Sequence, residues 1–98
     1  MIYRLYESRG GVAIAVADKE LVGKKLKFKD IEFFVNPRFY GDNEAPKEEL
    51  IRLLKEAVNI NLVGEKSVAL GKEAGMVKDE NIIMIGKVPH AQAVVMLT

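Results

Sequence analysis

Residues 61–75 read N-L-V-G-E-K-S-V-A-L-G-K-E-A-G. Whether this stretch is a helix from its first residue decides how the chain folds. Val63, Ser67, Leu70 and Ala74 recur at helical spacing, with Ala69 beside them, and Gly75 supplies a stop. The pattern predicts a helix over 61–74 with Asn61 as its N-cap. Upstream, Pro46 opens another helix, in which Leu50, Ile51, Leu53, Leu54, Ala57 and Val58 face one way. Lys47, Arg52, Lys55 and Glu56 face the other, and Glu48 and Glu49 complement the positive end of the dipole.

The flanks of these helices read as strands. Residues 2–8 are rich in aromatic and β-branched side chains, Arg9-Gly10-Gly11 makes a tight turn, and V-A-I-A-V-A at 12–17 returns. Residues 12–17 are apolar on both faces, which places them centrally in a sheet. Asp18 to Gly23 reads as one helical turn or a loop. Lys25 to Lys29 alternates lysine with Leu26 and Phe28, and I-E-F-F-V at 31–35 follows until Asn36-Pro37 stops it. Strands at 82–85 and 91–97, separated by G-K-V-P-H, close the chain. The expected fold is α+β, in the order β-β-β-β-α-α-β-β. A largely antiparallel sheet of five to six strands carries two consecutive helices on one face, in a single domain over residues 1–98.

Composition excludes several kinds of chemistry. The chain has 98 residues and no cysteine, which removes disulfides, thiolate catalysis and sulfur-ligated metals. One histidine and no acidic spacing of the calcium-loop type leave no metal site to predict, and no cofactor is expected. A formal charge of +1 leaves room for a local basic patch but not for binding driven by net charge. Arg4 and Glu7 interrupt the N-terminal apolar run, so it is no signal peptide, and no membrane span is expected. Cytoplasmic placement is the expectation. Charged residues dominate over uncharged polar ones, as in thermophile proteins, which leaves Ser8, Ser67 and Thr98 as hydroxyl nucleophiles.

Three groups of residues could carry function. His90 could act as a general acid or base, with Gln92 on the same side of a strand two residues on; otherwise it is a turn residue. Asn61, Gly64 and Glu65 at a helix start could bind a ligand through free amides, although Glu65 would repel an anion there and could instead pair with His90. The capping role of Asn61 competes with that reading. Lys24, Lys25, Lys27, Lys29 and Arg38, followed by Phe39 and Tyr40, form a basic and aromatic stretch suited to RNA. Edge-strand protection is the competing role for those lysines.

N-L-V-G-E at 61–65 together with G-K-V-P-H-A-Q at 86–92 resembles an archaeal family of small proteins catalogued only as a domain of unknown function, number 424. Gly23-Lys24 and Phe39-Tyr40-Gly41 are also similar to it, and the resemblance covers essentially the whole chain. It implies an archaeal, cytoplasmic protein and no catalytic residue. Lys87 stands where a second glycine is expected after Gly86, which argues against a strict glycine loop. The functional expectation is RNA binding or a translation-associated accessory role, with RNA or ribosome-associated proteins as partners and enzyme activity less favoured. Two alternatives stand beside it. One is a ligand-binding domain or enzyme with a pocket between 61–65 and 86–92. The other is a homodimeric interaction module using the last strand or the 33–40 loop.

Overall fold

The computed structural model describes residues 1–95, so Thr98 and the end of the strand expected at 91–97 lie outside the described residues. Among these residues, eight strands and three α-helices follow in chain order. They are β1 (Ile2–Ser8), β2 (Gly11–Ala17), β3 (Lys25–Phe28), β4 (Ile31–Phe34), α1 (Pro37–Tyr40), β5 (Asn43–Glu44), α2 (Lys47–Glu56), β6 (Asn59–Val63), α3 (Glu65–Glu73), β7 (Ile82–Ile85) and β8 (Val88–Val94). Six of the strands form one sheet in the order β5-β1-β2-β6-β8-β7, and β3-β4 is a separate hairpin. The fold is α+β, and every pair in the main sheet is antiparallel except β2 with β6.

The expected hairpin forms with Ser8 opposite Gly11, and β2 is central, as its two apolar faces require. On one face Ile14, Val16, Ile60 and Leu62 pack beneath Leu50 and Leu54 of α2 and Val68 and Leu70 of α3. On the other, Ala15, Ala17 and Val63 lie beneath Val35 and Tyr40, with Leu21, Val22, Leu26 and Phe33 around them. Alanines on β2 suit this second face, because a small side chain lets the Tyr40 ring approach the sheet.

The helix expected over 61–74 is corrected. Residues 59–63 are a central strand, β6, and the helix starts only at Glu65. The two helices are therefore joined through a strand, although both cover the same face. Asn-Ile-Asn-Leu-Val alternates polar and apolar, and pairing with β2 and β8 on both sides outweighs any helical preference of Asn61. The cap comes from elsewhere. Asp18, at the end of β2, accepts from the Lys66 and Ser67 amides at 3.1 and 2.8 Å and from Ser67 Oγ at 2.8 Å. These are the N2 and N3 amides that a local N-cap side chain would take.

Gly64 is required by this arrangement. Its φ is 109°, and a Cβ there would lie 2.2 Å from the Asp18 carboxyl carbon. A second correction concerns 86–92. Only Gly86 and Lys87 form the turn, and Val88, Pro89 and His90 are already in β8. Gly86 takes the positive φ (65°) and Lys87 does not, so the turn is of the II′ kind, which needs glycine only at its first central position. Pro89 costs no ladder bond, since its nitrogen and carbonyl face the end of β6, where the carbonyl accepts from Gly64 N at 2.9 Å.

Replacing Asp18 by Ala leaves two α3 amides and the buried Ser67 hydroxyl without an acceptor. The expected loss is about 2–4 kcal/mol, a drop of at least 10 °C or so in thermal midpoint by circular dichroism. Gly64→Ala should cost at least as much. A midpoint change below a few degrees in Asp18→Ala would show that α3 does not depend on this cap.

Candidate functional site

His90 and Glu65 do not meet. His90 sits on β8 between Val63 of β6 and Ile83 of β7, and its Nε2 lies 3.2 Å from Asn61 Oδ1. The same oxygen accepts from the Tyr40 hydroxyl at 2.7 Å. Asn61 Oδ1 only accepts, so the Tyr40 hydroxyl and an N–H on His90 Nε2 both donate to it. The ring is tilted against Phe33, centroids 4.9 Å apart. Burial holds the His90 pKa below its ordinary 6.5. Burial, and then the Tyr6 phenol, push the Tyr40 pKa up, so Tyr40 stays protonated as a donor. This network joins α1, β6 and β8, and all three of its members are engaged with one another.

Glu65 is exposed at the first turn of α3. It lines a small cleft of about 180 Å³ with Asp18, Glu20, Leu21, Lys66, Lys87 and Val88. The cleft does lie between the 64–66 and 86–88 segments, yet neither His90 nor Asn61 is in its wall. The α3 amides that could hold an anion are occupied by the Asp18 carboxylate, which would also repel one. Gly64 is buried against Asp18, and Gln92 is exposed on the face that carries His90. Ser67 is fully buried and bonded to Asp18, which removes it as a nucleophile.

The basic residues divide. Lys25 and Lys27 project from the outer side of the β3–β4 hairpin, where Glu32 lies 3.9 Å from each. Lys29 turns back over the Phe28 ring, and Lys24 is exposed before β3. Arg38 stands apart from them on α1. It borders an open groove of about 400 Å³ with Arg4, Val22, Pro37, Gly41 and Asp42.

Sequence reasoning missed Arg4 and Tyr6 here. Arg4 donates to the Arg38 carbonyl at 2.7 Å and lies 5.4 Å from the Tyr6 ring centroid. Tyr6 donates from its hydroxyl to the Phe39 carbonyl, and its ring stacks on Phe39 with centroids 5.6 Å apart. Asn36 caps α1 through the Arg38 amide at 2.9 Å, which holds these two residues in place. Neither Arg4 nor Arg38 has a carboxylate partner among the described residues. Phe39 is 40% exposed, whereas Tyr40 is buried within its own chain and needs no second copy to cover it.

The family described as "Protein of unknown function (DUF424)" matches residues 6–96. The chain belongs to this family. It is similar to the crystal structure of an uncharacterized conserved protein from Methanopyrus kandleri, at 23% identity and a TM-score of 0.81. That match covers 99% of this chain and 94% of the other, and at such identity it shows the fold alone. No curated protein matches the chain. Among the described residues, no group of three or more His, Asp or Glu side chains could hold a metal ion, and no helix is long and apolar enough to cross a membrane.

Because its folded pKa is depressed, His90 contributes stability that is present above about pH 6.5 and is lost as pH falls through the lower folded value. Unfolding free energy should therefore decline as pH falls below about 6.5 more in the natural chain than in His90→Gln. The single histidine allows a direct check by proton NMR of its ring. A midpoint at or above 6.5 would contradict the burial of this imidazole.

Proposed function

We propose that this member of the family is a binding protein for single-stranded RNA, and that its contact surface is the Arg4–Tyr6–Arg38–Phe39 cluster. One observation carries the reading: Arg4, over the Tyr6 ring, and Arg38, on the groove that Arg4 also borders, have no acidic partner among the described residues, and Tyr6 stacks on a Phe39 ring that is 40% exposed. Guanidinium groups neutralise phosphates, and a partly exposed ring offers a face on which a base can stack.

The sheet extends this surface. Register sets Tyr6, Ala13 and Asn59 in one row across β1, β2 and β6, and Arg4, Ala15, Asn61 and Gln92 in the next. The small Ala13 separates Tyr6 from Asn59 by two strand spacings, about 10 Å. Asn59 and the exposed Gln92 can hydrogen-bond base edges there. Lys25 and Lys27 contribute less than their number suggests, because Glu32 sits beside both.

Fluorescence anisotropy with a labelled single-stranded RNA, across a series of salt concentrations, tests this. Arg38→Ala should weaken binding and flatten the log–log salt dependence by about 0.7, the loss of one phosphate contact. Phe39→Ala should weaken binding roughly 5- to 100-fold and leave the salt slope unchanged. Absence of salt-dependent binding, or natural affinity in both variants, would overturn the proposal.

A further inference from the structure

The two edges of the main sheet are built differently. At one end β5 is only Asn43–Glu44, and the part of β1 beyond it carries the exposed charged residues Arg4 and Glu7. Short, polar or covered edges resist pairing with another chain. At the other end β7 is Ile82-Ile83-Met84-Ile85, with no charge or proline, and among the described residues it pairs with β8 alone. Ile83 is 60% exposed on one face and Met84 51% exposed on the other.

Backbone direction follows from register. Ile85 and Val88 close a two-residue turn, so Ile83 and Ile85 aim their backbone groups at β8. Met84 aims its N–H and carbonyl outward, as does the Ile82 carbonyl, while the Ile82 amide is taken by the Asp79 carbonyl.

We infer that β7 is a self-association edge, at which a second copy of this chain adds antiparallel about a two-fold axis through Met84. Charge complementarity selects a second copy as the occupant. In this register the two Met84 residues exchange both backbone bonds, and Ile83 of each copy faces Ile85 of the other. Lys87 of each then lies beside the Asp79–Asn81 turn of the other. Glu80 in that turn has no ion-pair partner of its own among the described residues, and neither has Lys87. An acidic flank before the strand and a basic one after it suit antiparallel self-pairing and would repel a parallel copy. The β3–β4 hairpin lies against the β7 end of the Ile83 face, with the Lys27 carbonyl 3.5 Å from the Cβ position of Gly86. Exposed Phe28 and Ile31 belong to that hairpin and enlarge the apolar surface. The surface lies at the opposite end of the sheet from the Arg4–Phe39 cluster, so the two proposals stand or fall separately.

Sedimentation equilibrium of the full chain, at protein concentrations up to about 0.5 mM, should give a monomer–dimer equilibrium. Met84→Pro removes the outward N–H without taking a bond from β8, and should leave a monomer with a nearly unchanged circular-dichroism spectrum. Ile83→Lys, a substitution at an exposed side chain, should also give a monomer and guards against misfolding of the proline variant. Lys87→Glu should raise the dimer dissociation constant about two- to fivefold, and adding Glu80→Lys should restore it. A natural chain that stays monomeric throughout, or a dimer that survives Ile83→Lys, would overturn the inference.

Discussion

The Asp18 carboxylate holds the start of α3, and much of the molecule follows from that contact. Asp18 follows β2 directly, and its amide donates to the Val63 carbonyl at 3.0 Å, which continues the one parallel pairing of the sheet into the loop. Its oxygens then take the two amides and the hydroxyl that α3 presents. A 3% exposed carboxylate is tolerable because each oxygen is bonded. The contact fixes where β6 stops, forces glycine at position 64, and orients α3 so that Val68 and Leu70 reach the core. It also has a functional consequence: the helix terminus best placed to bind an anion is already filled by the chain itself.

With that terminus filled, Arg4 and Arg38, which have no carboxylate partner among the described residues, lie together with the exposed Phe39 on the β1–α1 side. Tyr40, Asn61 and His90 serve as the internal brace that ties α1 to the sheet, which keeps Arg38 and Phe39 in position beside Arg4 and Tyr6. An imidazole whose Nε2 is committed to Asn61, in a site that burial makes unfavourable for charge, is suited to hold geometry and poorly suited to shuttle protons.

Local patterns made half of this legible. The first hairpin, the central place of β2, the β3–β4 hairpin and α2 were all readable from alternation, glycine pairs or the amphipathic stripe. β6 was not, because α2 ends at Glu56 without a glycine after it and Asn61 imitates an N-cap. The overlooked signal was the two-residue alternation of Asn59 to Leu62, which is a strand pattern. Asp18 lies 49 residues from Ser67, and such a cap leaves no mark at short range. The same holds for the site. Arg4 and Tyr6 meet Arg38 and Phe39 only because α1 folds across β1, whereas the lysine run caught attention by density and Glu32, opposite Lys27, offsets it.

The most direct measurement is an NMR titration of the isotope-labelled protein with single-stranded RNA at low salt. Amide shifts should concentrate at Arg4–Tyr6 and Arg38–Phe39, extend towards Asn59 and Gln92, and leave Glu65–Ser67 unmoved. Shifts centred on the α3 terminus and Lys87, with β1 and α1 silent, would contradict this placement of the RNA contact.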